Sequence, residues 1–200
     1  VNAFLSDILR GLTAKVFRTH HATVAVQESL KGSGLTAADP EYRKWEAASL
    51  ANLEAAVLCN HTKKPTGNWA ARRKRFAKRK EKARERIARY REQQREYRER
   101  LAALRVEAKE REAAANGEER VARVRERYRK RIAVARRRLD AARQRRQRAE
   151  DALGKIRAQE AIASEKRNWN LTTSLKSYID PRVYHRWGKA VDYDVLQRYY

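Results

Sequence analysis

The chain has 200 residues, of which 49 are Lys or Arg and 25 are Asp or Glu, a formal charge of +24 at pH 7. That surplus points to a polyanionic partner; no run of ~20 apolar residues reads as a membrane span, and the residues at the N-terminus do not read as a basic-then-apolar leader. Cys59 is the only cysteine, which excludes an internal disulfide and a cysteine-rich zinc site; beside Val57 and Leu58 it reads as a buried structural thiol. The protein reads as intracellular. A start at Val1, the absence of methionine and the ending at Tyr199-Tyr200 suggest a piece of a longer protein.

From Asn2 to Leu12 the residues Phe4, Leu5, Ile8, Leu9 and Leu12 recur at three- and four-residue spacing, which predicts a helix with one buried stripe stopping near Gly11. A second helix is expected over His20 to Leu30, broken by Gly32-Ser33-Gly34. Asp39 and Pro40 read as an N-cap and a first-turn proline. The helix they open carries Trp45, Leu50, Leu53, Val57 and Leu58 on its apolar side and ends near His61, because Lys63-Lys-Pro-Thr-Gly67 is loop chemistry.

From Trp69 to Ala115 the pattern changes. Phe76, Ala83, Tyr90, Tyr97 and Leu104 fall seven apart, with Ile87, Leu101 and Ala108 offset by four. Asn116-Gly117 interrupts the series, and a second one runs through Val121, Tyr128, Ala135, Ala142, Ala149, Ile156 and Ala163, with Ile132, Leu139 and Leu153 offset. Two helices joined by a tight turn make an antiparallel hairpin with arms of about 70 Å, which is expected to project from the body. Its stripe is thin, since Arg125 and Arg146 occupy offset positions, so a weakly held, mobile coil is expected. Glu-to-Arg pairs and strong helix formers support the arms. After Lys166 the composition is globular again, and Asp180-Pro181 predicts a capped helix through Trp187.

Three separated strings carry the chemistry: Gly11-Leu-Thr-Ala-Lys-Val-Phe-Arg-Thr19, Val57-Leu-Cys-Asn-His61 and Ser174-Leu-Lys-Ser-Tyr-Ile-Asp-Pro-Arg182. Singly, an arginine in a basic chain is a solvated or phosphate-positioning residue, a histidine at a helix end is a cap, and a tyrosine is packing. Together and in this order, the strings resemble the catalytic end of type IB DNA topoisomerases, the eukaryotic and archaeal type I enzymes. The resemblance implies a mainly α fold. Residues 1–67 would be the C-terminal part of a helical catalytic core, 68–166 a coiled-coil linker hairpin, and 167–200 a small helical C-terminal domain bearing the nucleophile.

It also implies roles. Tyr178 would become linked to a DNA 3′-phosphate, Arg18 and His61 would stabilise the charged oxygens, and Thr13, Ala14 and Lys15 would touch DNA near the cut. The roles suit the groups. A phenol, with a reference pKa near ~10, serves as nucleophile and as leaving group, and a guanidinium fork holds two oxygens. The scheme requires no metal and no cofactor. The family's further arginine and lysine general acid have no matching motif here, so the implied partners are double-stranded DNA and an N-terminal core region, fused or as a separate subunit, with no membrane. Ser177 stands where many relatives carry Asn, a departure that bears on camptothecin sensitivity.

The cell address implied is chromosomal, nuclear in a eukaryote and nucleoid in an archaeon; Arg72-Arg-Lys-Arg75 also resembles a nuclear localisation run. Two other readings share these features. A tyrosine recombinase uses the same three groups without the hairpin, and a non-enzymatic basic coiled-coil protein would need charge and heptads alone.

Overall fold

The computed structural model describes residues 1–65 and 67–199; Thr66 of the expected loop and the terminal Tyr200 lie outside the described residues, as do the side chains of Leu196 and Arg198. The fold is mainly α, as expected. In chain order the helices are α1 (Asn2–Ile8), α2 (Ala14–Gly32), α3 (Glu41–Leu58), α4 (Trp69–Ala113), α5 (Glu118–Glu165), α6 (Leu171–Ser177), α7 (Pro181–Ala190) and α8 (Val195–Arg198), with a 3-10 turn at Lys166–Asn168. Among the described residues the only isolated bridge is antiparallel, between Thr62 and Trp169. The chain divides into two compact units, residues 1–76 with 154–200, and residues 77–153.

The first unit is organised around α2 and α3. Ala22, Val26 and Leu30 of α2 meet Ala48, Ala51 and Ala55 of α3, and Cys59, Ile179, Val183, Tyr184, Val191, Tyr193 and Val195 complete the cluster. Alanines in the seam let the helix axes approach, and each fully buried side chain of valine size contributes about 1.5–3 kcal/mol. Polar anchors hold the C-terminal helices on this seam. The fully buried Tyr184 donates its hydroxyl to the Ala48 carbonyl at 3.0 Å. Lys44, 2% exposed, donates its ammonium to the carbonyls of Ala37 (2.9 Å) and Asp192 (3.3 Å).

Several expectations are corrected. The first helix stops at Ile8, and Leu9 is extended. Its stripe is not buried, since Phe4, Ile8 and Leu9 are 67%, 66% and 62% exposed; three- and four-residue spacing makes one face apolar without saying what covers it. The second helix begins at Ala14 and not at His20, because Thr13 is extended at the N-cap and the Ala14 amide is satisfied from a distance by the Asn2 side chain, at 3.0 Å. Pro40 is itself the N-cap of α3, while the Asp39 carboxylate accepts from the amide (2.9 Å) and hydroxyl (3.0 Å) of Thr36. The expected apolar side of α3 is interior only in part: Trp45 packs against the core cluster and Leu53 is half-buried. Leu50, Val57 and Leu58 are exposed, and the buried side carries Lys44, Ala48, Ser49, Ala51, Asn52, Ala55 and Ala56. Close helix packing selects small side chains, which a search for large apolar residues overlooks.

In the second unit the heptad reading holds. Ala83, Ile87, Leu101, Leu104, Tyr128, Ala135, Leu139, Ala142 and Ala149 are buried along the seam between the arms. Gly117, at φ +85°, takes the left-handed turn position between α4 and α5. Arg125, which interrupts the stripe, turns outward and pairs with Glu112 on the other arm. Glu107 accepts from the Tyr128 hydroxyl at 2.5 Å and lies 3.5 Å from Arg131.

Candidate functional site

The C-terminus of α3 places the first group. Asn60 adopts the left-handed conformation (φ 51°) and donates its amide to the Val57 carbonyl at 2.9 Å, while the His61 amide reaches back to Ala56 at 2.8 Å. These two bonds form a Schellman closure with Asn60 in the position glycine usually takes. The turn reverses the chain, and His61 begins a short extended strip. Its carbonyl accepts from the Asn170 amide at 2.7 Å, and the Lys63 amide donates to Asn168 at 2.9 Å.

That strip brings the C-terminal segment alongside α3. Asn170 caps α6 by accepting from the Thr173 amide at 3.3 Å. One turn in, the fully buried Ser174 hydroxyl lies 2.8 Å from His61 Nδ1 and 3.4 Å from the Asn170 carbonyl. Tyr178 is the C-cap of α6, with φ −133° and ψ −4°. The Asp180 amide then donates to the Thr23 hydroxyl of α2 at 3.1 Å. Asp180 caps α7 by accepting from the Arg182 amide at 2.9 Å, with Pro181 as the first helical residue, as the sequence predicts.

Four side chains meet at this point. The His61 and Tyr178 ring centroids are 4.6 Å apart, the Arg18 guanidinium carbon is 5.0 Å from the tyrosine ring centre, and Lys15 Nζ is 5.6 Å from it. Lys15 and Arg18 are three residues apart on α2 and so share one face. Arg18 also donates to the Cys59 carbonyl, which ties it to the cap that positions His61. Burial, and then the positive charge of Arg18, hold the His61 imidazole below its ordinary pKa. The ring is therefore neutral at physiological pH and keeps one N–H to donate.

Of the residues singled out from the sequence, Tyr178, Arg18, His61 and Lys15 are brought together. Thr13 and Ala14 lie at the N-terminus of the same helix, Thr13 as its cap. Sequence reasoning assigned no role to Asn60 or Ser174, although both stand in the strings quoted above, and missed Thr23. The asparagine before a histidine at a helix end was a usable signal, because Asn tolerates the left-handed region. Nothing local marks Ser174 or Thr23, whose partners are far away in the chain. Among the described residues no group of three His, Cys, Asp or Glu side chains is placed to hold a metal ion, and no helix is long and apolar enough to cross a membrane.

A model of the eukaryotic DNA topoisomerase I catalytic core matches residues 1–101, a stretch that includes Arg18 and His61 and ends before Tyr178. The chain is 44% identical over 66 residues to DNA topoisomerase 1 of Homo sapiens, an overlap covering 32% of this chain and 8% of that protein. It is 40% identical over 81 residues to DNA topoisomerase 1 of Schizosaccharomyces pombe, with 40% of this chain and 10% of the relative covered. Over 62 residues it is 47% identical to the mitochondrial DNA topoisomerase I of Rattus norvegicus, with 30% and 10% covered. The match spans a tenth or less of the length of these curated relatives. With half of its residues matched by the catalytic-core model, the chain belongs to the eukaryotic DNA topoisomerase I family.

Proposed function

We propose that this chain supplies the nucleophile and two oxyanion-stabilising groups for cutting and rejoining one strand of duplex DNA, so that supercoils relax by controlled rotation. The observation that carries this reading is the meeting of Arg18 and His61 at the ring of Tyr178, from positions far apart in the sequence. In the forward step the Tyr178 phenolate oxygen bonds to phosphorus, its proton having gone to solvent. The bond from phosphorus to the 5′-oxygen breaks, and that oxygen takes a proton as it leaves. The strand is held as a 3′-phosphotyrosine, and the reverse step restores the DNA bond and frees the phenol. Charge gathers on the non-bridging oxygens as phosphorus gains its fifth ligand. Arg18 meets it with a fixed positive fork, and the neutral His61 ring meets it with an N–H.

In this reading residues 1–67 are the end of the catalytic core, 68–166 the linker hairpin and 167–200 the C-terminal domain. Lys15, with Thr13 and Ala14, faces DNA near the cut. The partners are double-stranded DNA and the N-terminal core region, fused or as a second subunit, which brings the remaining arginine and the lysine general acid. The working place is chromosomal DNA. The hairpin arginines run beside the duplex and drag on its rotation, an attraction that salt weakens.

Trapping tests the reading. Labelled DNA is incubated with the chain and the core region that completes it, and the mixture is denatured. Label is expected to stay on the wild-type chain and to be absent from Tyr178→Phe; equal label on both sinks the enzymatic reading and leaves a non-enzymatic nucleic-acid-binding protein.

A further inference from the structure

A second cationic site, whose lining does not include Tyr178, lies within the first compact unit. The start of α4 and the end of α5 flank a pocket of about 490 Å³ whose lining includes Lys63, Trp69, Arg72, Arg75, Lys166 and Arg167. Five of these six are cations, and no Asp or Glu lines the pocket. Among the described residues none of the five takes part in an ion pair. Elsewhere in the chain arginines are paired with carboxylates at intervals of three and four along the arms.

Two of the cations also lie against aromatic rings. The Arg167 guanidinium lies 5.2 Å from the Trp69 ring centre, and that of Arg72 lies 5.9 Å from Phe76, which is itself buried. Stacking on a ring fixes the plane of a guanidinium and leaves its edge N–H groups to donate. Lys63 and Arg167 flank the same backbone strip that carries His61 and Asn168, so the pocket is built on the scaffold that positions Tyr178. Lys166 is half-buried. Burial first, and then the like charges of Arg72 and Lys63, hold its ammonium below the ordinary lysine pKa.

Crowding five cations without a carboxylate is unfavourable by itself, and an oxyanion with several acceptor oxygens relieves it. A single carboxylate would not satisfy two guanidinium forks and an ammonium; a phosphate, with oxygens pointing several ways, does. We propose that this pocket is a phosphate-binding site whose ligand is a backbone phosphate of duplex DNA, held by Arg72, Arg75 and Lys166 with Lys63 and Arg167 at its sides. The choice of DNA as the source of the phosphate rests on the proposed function; the chemistry of the pocket does not.

Two measurements on the full chain test it. A pocket variant, R72Q/R75Q/K166Q, is compared with wild type and with a charge-matched control, K31Q/R186Q/K189Q, at exposed cations outside both the pocket and the hairpin; far-UV circular dichroism melting checks that each is folded. Inorganic phosphate is titrated calorimetrically at low salt, and a fluorescent duplex is titrated by anisotropy over a series of salt concentrations. Phosphate binding is expected to be kept by wild type and control and weakened at least about tenfold in the pocket variant. The log–log salt slope for the duplex is expected to be shallower in the pocket variant than in the control by about 0.9 for each phosphate that the variant no longer neutralises.

If phosphate binding falls and the duplex slope matches the control, the site stands but its ligand is a free phosphate, and the assignment to DNA is overturned. If the pocket variant matches the control in both measurements, the site itself is overturned. Neither readout involves strand cleavage, so a failure at Tyr178 in the trapping experiment leaves the pocket standing, and the reverse.

Discussion

At the residue scale the centre of interest is one imidazole. Ser174 Oγ lies 2.8 Å from His61 Nδ1 and 3.4 Å from the Asn170 carbonyl, so this hydroxyl orients the ring. Burial and Arg18 keep the folded-state pKa of His61 below its unfolded value of 6.5. Between the two values the unfolded chain binds more protons, so the stability contributed by His61 is complete above the unfolded value and is lost as pH falls through it toward the folded one. Denaturant unfolding from about pH 8 to about pH 5 is expected to show wild type weakening with acid more steeply than His61→Gln. Parallel profiles would mean that His61 is not held neutral. The identities of Arg18, His61 and Tyr178 were legible in the sequence; the hydroxyl that orients the ring was not, because its partner lies 113 residues away.

Elements show where local pattern suffices. Asp180-Pro181 reads correctly as cap and first turn, since both effects are confined to adjacent residues. The heptads of α4 and α5 are legible for a similar reason. Each arm repeats one local spacing many times, and the buried Leu101, Leu104, Ala135 and Leu139 are where that spacing puts them. α3 resists such reading, because its contact face is largely alanine while Leu50, Val57 and Leu58 are exposed. The end of α3 makes a second prediction. Asn60 at φ 51° is tolerated, glycine there is relaxed, and a β-branched residue is strained. Asn60→Val is expected to lose about 1–2 kcal/mol in urea unfolding, whereas Asn60→Gly stays close to wild type. Equal losses in the two variants would remove the backbone explanation for how His61 is placed.

For the molecule as a whole, charge is the dominant fact. A formal +24 spread over 200 residues repels itself, and the ion pairs along the arms are exposed and individually weak. Screening therefore removes more repulsion than attraction, since the Debye length falls to about 3 Å at 1 M salt. Raising sodium chloride from about 0.05 M to about 0.5 M is expected to raise the calorimetric melting temperature. A fall would show that the surface pairs outweigh net repulsion.

The sequence by itself determined the helical class, the hairpin and its turn, the basic surface and the chemical types available for work on phosphates. Each of those follows from composition or from spacings within a few turns of chain. Tertiary structure alone decided which face of α3 is interior, that the stripe of α1 is left outside, and that groups from α2, the end of α3 and the end of α6 share one spot. It decided too that five cations crowd one pocket between α4 and α5. The reason is range: a helix propensity acts over one turn, whereas a meeting of Arg18, His61 and Tyr178 depends on packed alanines and a two-stranded strip whose partners are about a hundred residues apart.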